Sequence, residues 1–474
     1  MTEKFNSLSI DNTFNSQKSK SISLRSSTAA ERIRQLEKLQ DWIKSHLEDI
    51  RKGIFADFKK PYPEIDASEI FVVTSEIKHA IKNIESWMKP TKVSTPLPML
   101  GSNSHIQYEP KGTTLIIAPW NYPFNLAIGP LVSALAAGCT AIIKPSEMTP
   151  HTSALIKRMI EEVFEPELVA VFEGEVEVAQ HLLSKPFDHI FFTGSPAVGK
   201  IVMKAAAENL TSVTLELGGK SPAIIDSHVD IQDAASKIVW GKYVNCGQTC
   251  IAPDYLLVQE NIKNELIEAI QVKIKEMYDP KNKGISQSKD YARIVNDRHL
   301  KRMKNLLQDA TLKGAKAVIG GEILEAENYF EPTVLTEVSD KMDVMEEEIF
   351  GPILPIMTYT NTTEAIQYIN NKPKPLALYI FSNSEEVANT ILIQTSSGGA
   401  VVNDCVVHFL QNELPFGGVN NSGIGKAHGH FGFLAFSNEK AVLEQRVGFI
   451  PSKSLYPPYN FIGKKISQAL LKWF

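Results

Sequence analysis

Thr113-Thr114-Leu115-Ile116-Ile117-Ala118-Pro119-Trp120-Asn121-Tyr122-Pro123 begins a rhythm from which the architecture can be read. Residues 114–118 are a short apolar run, right for a strand covered on both faces. Residues 126–137 carry a helical pattern, and 141–144 return to a strand. Strands at 168–172, 190–192 and 213–217 follow, with a further helix at 198–207. Such alternation argues for a parallel sheet covered by helices, an α/β fold. Beyond Gly218 the rhythm resumes at 223–226, 255–258, 353–358, 378–381 and 400–403, which makes a second α/β unit.

Working outward, residues up to 25 are polar and are expected to form a loose arm. Thr28 and Glu31 have the spacing of a capping box. Ile33, Leu36, Leu39, Ile43, Leu47, Ile50 and Ile54 then recur at helical intervals, predicting one long amphipathic helix. Pro61 and Pro63 break it, and a second helix is expected just after Asp66, with Glu69 at capping distance, running to Trp87. Residues 89–108 are rich in proline, glycine and serine and read as an extended excursion or hairpin.

At 474 residues the chain is too long for one ordinary core, and two or three domains are expected. A hydrophobic fraction of 43% and a charged fraction of 22% suit a soluble globular protein. A net charge of -5 gives no reason to expect nucleic-acid binding. Four cysteines (Cys139, Cys246, Cys250, Cys405) make no disulfide framework at this length, which suits a reducing, cytoplasmic setting. No metal-ligand spacing is present; the pair His428 and His430 reads as packing or loop. No apolar run is long enough to span a bilayer. The basic, amphipathic stretch from Lys464 to Phe474 suits peripheral contact with a membrane surface, although packing on the body or on a partner subunit is preferred.

Three segments suggest covalent chemistry on a carbonyl group. Asn245-Cys246-Gly247-Gln248-Thr249-Cys250 offers a thiol, Glu216 in Leu215-Glu216-Leu217-Gly218-Gly219-Lys220 a general base, and Asn121 an oxyanion donor. Cys246, Cys139 and Cys405 read as buried structural side chains. Phe192-Thr193-Gly194-Ser195-Pro196-Ala197-Val198-Gly199 lacks the usual dinucleotide glycine pattern. Even so, Ser195 can cap a helix, Pro196 suits its first position and Gly194 admits a close ligand. Lys144 and Glu147 end another strand of that sheet, where such sheets bind ligands, and Glu147 would accept from ribose hydroxyls and repel a 2′-phosphate. Glu348 and Phe350 offer a second carboxylate and an aromatic, although each of these segments taken alone is also compatible with an ordinary turn or acidic loop.

Together these stretches resemble the aldehyde dehydrogenase superfamily, in order and over nearly the whole chain. Asn403-Asp404-Cys405, Leu414-Pro415-Phe416-Gly417-Gly418-Val419 and Tyr456-Pro457-Pro458-Tyr459 are similar to the class 3, or fatty-aldehyde, branch. The resemblance implies Cys250 as nucleophile, Glu216 as base, and Asn121 with the Cys250 amide as oxyanion hole. It implies Trp120, Lys144, Glu147, Gly194, Ser195, Gly199, Glu348 and Phe350 as dinucleotide-binding residues, and Tyr122 and Trp240 as lining of the aldehyde tunnel. It implies NAD or NADP as cofactor, with Glu147 leaning towards NAD, a small-molecule aldehyde as substrate and a homodimer. The implied domains are a cofactor-binding unit (1–87 and 108–217), a catalytic unit (218–418) and an oligomerisation or bridging element with the C-terminal tail (88–107 and 419–474). Asn420, where relatives usually have glycine, and Ala427, where animal members have tyrosine, depart from the branch near the pocket mouth. A thiol esterase or acylating enzyme, and a silent binding protein on the same fold, are the competing readings. The presence of both Cys250 and Glu216 argues against the silent one.

Overall fold

The computed structural model describes residues 6–96, 99–448, 450, 452–453 and 456–473. The chain opens not with a loose arm but with helix α1 (Ser7–Leu24), capped by Asn6, whose side chain accepts from Ser9 N. Its inner face is Ile10, Phe14, Gln17 and Ser21. Two of these four are polar, so the helical spacing was hidden from a search for apolar periodicity. Phe14 meets the Phe187 ring edge-on at 4.9 Å, and buried Gln17 donates to the carbonyls of Ala141 (3.0 Å) and Pro166 (2.9 Å).

The Thr28–Glu31 capping box is present and starts α2 (Ala29–Ser45). The expected single long helix is interrupted at His46 (φ -123°, ψ 27°), after which α3 (Leu47–Phe58) continues the apolar spacing. The next helix starts earlier than Asp66. A first turn, Tyr62–Ile65, has Pro61 as its N-cap and Pro63 inside it, places where a missing N–H costs nothing. It runs through a π-helical stretch, Asp66–Ile70, into α4 (Phe71–Trp87). Glu69 is therefore no cap: it is fully buried within the helix.

The proline- and glycine-rich excursion carries β1 (Thr91–Lys92) and β2 (Asn103–Pro110), which pair antiparallel. The first α/β unit follows as β3 (Thr113–Ile117), α5 (Asn125–Ala137), β4 (Thr140–Lys144), β5 (Val169–Val171), β6 (His189–Gly194), α6 (Pro196–Ala207) and β7 (Ser212–Leu217). The second contains β8 (Pro222–Ile225), α7 (Ile231–Tyr243), β9 (Tyr255–Gln259), β10 (Lys316–Ile319), β11 (Thr333–Thr336), β12 (Ile353–Tyr359), β13 (Ala377–Phe381) and β14 (Gly399–Val402). Late in the chain come β15 (Gly423–Ile424), β16 (Ser437–Glu444) and a terminal helix α8 (Phe461–Trp473).

Two large sheets result, with strand orders β15-β7-β6-β3-β4-β5 and β10-β11-β12-β9-β8-β13-β14. The ladders β3–β4, β3–β6, β4–β5 and β6–β7 are parallel, and only β15 runs against them. The carboxyl ends of β3, β6 and β7 therefore lie along one edge, the place where such sheets bind ligands. There β6 and β7 set Thr193 beside Glu216, while β15 sets Gly423 on the other side of Glu216. A third sheet, β1-β2-β16, is built on an eight-pair antiparallel ladder from Asn103↔Glu444 to Pro110↔Ser437.

No helix among the described residues is long and apolar enough to cross a membrane. In α8, Phe461, Ile462 and Leu471 are exposed and Ile466 and Leu470 half-buried, so packing on the body covers only part of its apolar side.

Candidate active site

The segment from β3 to α5 carries Trp120, Asn121 and Tyr122, and the segment from α7 to β9 carries Cys250. The latter does not form the helical turn that would stack Cys246 over Cys250. Asn245, Cys246 and Gly247 are left-handed in succession (φ 54°, 55° and 73°). Two non-glycine residues in that region cost energy and persist only where surroundings hold them. Here Glu64 accepts from Asn245 N (2.8 Å), and Asn245 Nδ2 donates to the carbonyls of Asn121 (2.8 Å) and Gln248 (3.1 Å). Gln248 Nε2 donates to the carbonyls of Asn245 and Arg293, while its Oε1 accepts from Val295 N. Gly247 is required twice over, since an added Cβ would also strike the Gly351 carbonyl.

The same bonds tie the two segments together. Asn121 Nδ2 donates to Gln248 O (3.1 Å) and Tyr122 OH pairs with Thr249 Oγ1 (2.7 Å). Beneath them lies a buried ion pair, Lys60 Nζ to Glu69 Oε1 at 2.8 Å, with both side chains fully buried. Lys60 also donates to Asn121 O (3.3 Å) and stands 4.0 Å from the centre of the Tyr122 ring. Glu69 accepts from Asn125 N (2.9 Å), and burial drives its carboxyl upward against the lowering effect of Lys60.

Two cavities meet at this place. A wide cleft of about 960 Å³ is lined by Trp120, Asn121, Gly194, Ser195, Glu348 and Phe350. A narrow cavity of about 90 Å³ is lined by Tyr122, Thr249, Phe409, Phe416 and others. Cys250 and Glu216 line both. Burial, with the Glu348 and Glu216 carboxylates, pushes the Cys250 thiol up to about 12. Burial likewise pushes Glu216 up to about 8, against a smaller lowering by Lys426. Neither Glu216 oxygen has a hydrogen-bond partner among the described residues. A proton-accepting carboxyl thus stands unengaged beside a protonated thiol.

The remaining expected residues divide. Trp120 meets Phe350 edge-on (5.3 Å) and His299 (4.8 Å), an aromatic wall of the cleft. Ser195 caps α6 by accepting from Val198 N, and Pro196 opens that helix, whose start at Ser195, Pro196 and Ala197 lines the cleft. Gly218 lets the Glu348 carboxylate approach, since an added Cβ would collide with it. Gly199 lines neither cavity; an added Cβ there would lie 2.7 Å from Leu217 Cδ2, so it serves helix-on-strand packing. Lys144 and Glu147 form a 2.6 Å ion pair outside the lining of the wide cleft. Trp240 on α7 lines neither cavity and is 40% exposed, unlike Tyr122. Cys139, Cys246 and Cys405 are buried, and Cys246 Sγ donates to Tyr291 OH. His428 stacks on Phe416 and His430 on Phe433, and no cluster among the described residues is arranged to hold a metal.

Sequence reasoning missed His299 and also Arg302, which holds the Glu348–Phe350 turn by donating to the carbonyls of Ile349 (2.7 Å) and Glu348. Glu76, Phe409 and His428 of the narrow cavity were missed too. A carboxylate on the apolar face of an expected helix was the available signal for Glu76.

Residues 3–442 match the model of the Aldehyde dehydrogenase family. The chain belongs to that family. A putative aldehyde dehydrogenase AldX of Bacillus subtilis is 48% identical over 92% of this chain and 98% of its own. Aldehyde dehydrogenase family 3 member A2 of Pongo abelii is 44% identical over 92% of this chain and 89% of its own. The substrate-bound state of Staphylococcus aureus AldH superposes with a TM-score of 0.93 at 44% identity, covering 97% of this chain and 99% of that one. This aldehyde dehydrogenase is therefore an oxidoreductase of the class 3-like branch, and its two parallel-stranded sheets are those of the family fold.

Proposed function

We propose that this enzyme oxidises aliphatic, medium- or long-chain, or aromatic aldehydes to carboxylic acids, with NAD or NADP, through covalent intermediates on Cys250. The carrying observation is that Cys250 and Glu216 alone of the expected catalytic residues border both cavities. A substrate in the narrow cavity and a dinucleotide in the wide cleft then meet at the sulfur.

The wide cleft suits a dinucleotide on its own features. It offers the start of α6 with the Ala197 amide, an aromatic wall and a glycine-cleared Glu348. Trp120, Gly194, Ser195, Glu348 and Phe350 would hold it, and Gly199 would keep α6 against β7. Glu147, held by Lys144 outside that lining, would favour NAD only from the edge of the cleft, by accepting from ribose hydroxyls. When bound, the dinucleotide supplies the hydride acceptor.

As Cys250 Sγ bonds the aldehyde carbon its thiol proton would leave by way of the Glu216 carboxylate to solvent, and the thiohemiacetal would become a thioester by giving up its hydride to the bound acceptor. The second Asn121 Nδ2 hydrogen and the Cys250 amide receive the oxyanion; losing one such donor typically costs about a hundredfold or more in rate. Glu216 then takes a proton from the water that releases the acid, a role for which a raised pKa suits it. Tyr122 shapes the aldehyde cavity, and Trp240, outside that lining, would act on substrate only from the pocket mouth. The first sheet with its helices serves as cofactor unit (1–87 and 108–217), the second as catalytic unit (218–418), and the β1-β2-β16 sheet as the bridging element of a homodimer. The setting is cytoplasmic.

The test is single-turnover kinetics of Glu216→Gln. Reduced nicotinamide is expected to form in one burst, with acid release slowed at least a hundredfold. Normal acid release in that variant would overturn the assignment of Glu216.

A further inference from the structure

The narrow cavity has one feature that oxidation of a plain aldehyde leaves unused. Ser68, Val72 and Glu76, each four residues beyond the last, line it from one face of the helical run that ends in α4. Ser68 and Val72 suit an apolar wall. Glu76 does not. It is 6% exposed, and the cavity near it includes Phe409, Phe416 and Ala427. Burying a carboxyl among such groups is costly unless something polar engages it. Glu76 Oε1 accepts from Gly429 N at 2.6 Å, and no second donor reaches the carboxyl among the described residues. Burial pushes it up to about 7. The neighbouring His428 is pushed down to about 4 by burial, so it brings no positive charge near neutral pH. Elsewhere on the same run Glu69 has Lys60 as counter-ion; Glu76 has no such partner among the described residues.

The chain path sets Glu76 apart from the reacting groups. Phe416 and Ala427 pair through two backbone hydrogen bonds of 3.2 and 2.7 Å. Glu216 stands against Gly417, on one side of that bridge; Glu76 bonds Gly429, on the other. Both carboxyls line the same cavity as Cys250, but they meet this segment at different residues, Glu216 at Gly417 and Glu76 at Gly429.

We propose that Glu76 is a specificity-determining residue that hydrogen-bonds a hydroxyl on the tail of the substrate, so that the preferred substrates are hydroxylated aldehydes. This deepens the dehydrogenase reading and rests on it. A hydroxyl fits because it donates to a carboxylate and accepts from a carboxylic acid, so the contact survives either protonation state of Glu76. A methyl-terminated tail of the same length leaves the carboxyl unengaged, and sites built around a polar partner discriminate strongly against analogues lacking it.

The test uses the whole enzyme and straight-chain aldehydes of increasing length, each beside its terminally hydroxylated counterpart. The readout is the ratio of kcat/KM within each pair. At one chain length the wild type is expected to favour the hydroxylated member by about tenfold or more. Glu76→Gln, which keeps a donor and an acceptor, should retain most of that ratio, and Glu76→Leu should abolish or invert it. A Glu76 that only steadies the Gly429 turn would lower both members alike and leave the ratio unchanged, which would overturn the proposal. Should Glu76→Leu fail to fold, a wild type and a Glu76→Gln with no preference at any length would overturn it equally. Cys250-dependent oxidation of plain aldehydes with no such preference would remove this inference and leave the dehydrogenase reading standing. No oxidation of any aldehyde would remove both.

Discussion

Cys250 and Glu216 have opposite needs that the site reconciles by position. The thiol is pushed up to about 12 in the free protein, so it is protonated across the neutral range. Its alkylation by iodoacetamide should rise about tenfold per pH unit without a plateau through that range; a plateau near neutral pH would show a thiolate already formed. In its proposed role Glu216 acts as a carboxylate, and burial pushes it up from 4.5 to about 8. Its active fraction therefore falls as pH drops through about 8 and is complete only above it. Acid release, followed by rapid quench, should climb through that region and level off. A rate that is flat from mildly acidic to mildly alkaline pH would contradict the role. Cys250, Glu216 and Asn121, which the fold brings to one place, stood out in the sequence because the proposed covalent chemistry needs a thiol, a base and a donor of distinctive type. Glu76, His299 and Arg302 were not, because a carboxylate, an imidazole or a guanidinium on a helix is ordinary until folding shows what it faces.

At the scale of the element, burial alone did not decide legibility: the half-exposed β14 was expected, whereas the buried β11 was not. Strands β3, β4 and β13 are buried along their whole length and read as short runs centred on apolar residues. Strand β16 is mostly exposed, with Asn438, Glu439 and Lys440 in sequence, and it carries no period to detect. Helix α1 escaped because Gln17 and Ser21 share its buried face with Ile10 and Phe14. That face is nonetheless structural: Phe14→Ala should cost about 3–5 kcal/mol in denaturant unfolding, and a loss under about 1 kcal/mol would mean that α1 is not docked. Lys60 stabilises a different junction, between the π-helical stretch and the Asn121 segment. Lys60→Met leaves Glu69 buried without its cation and should cost about 3–5 kcal/mol. Because Lys60 also bonds Asn121 O, the same variant should lower kcat more than it raises KM; an unchanged kcat in the folded fraction would show that the ion pair serves stability alone.

On the scale of the whole molecule, two parallel-stranded sheets bring their site-forming loops to one junction, and two cavities of very different size open from it. A third sheet, β1-β2-β16, stands apart from both and is the element to which a bridging role is given. Sedimentation equilibrium should find twice the 52.6 kDa chain mass; a single-chain mass at micromolar concentration would remove the dimer. The junction itself is the central claim, and it is tested by reduced-nicotinamide absorbance with purified enzyme, NAD or NADP, and a panel of short, long and aromatic aldehydes beside a Cys250→Ala control. The expected result is an aldehyde-dependent signal that disappears in the control. A signal that persists in Cys250→Ala, or its absence across the panel while the dinucleotide still binds, would contradict it.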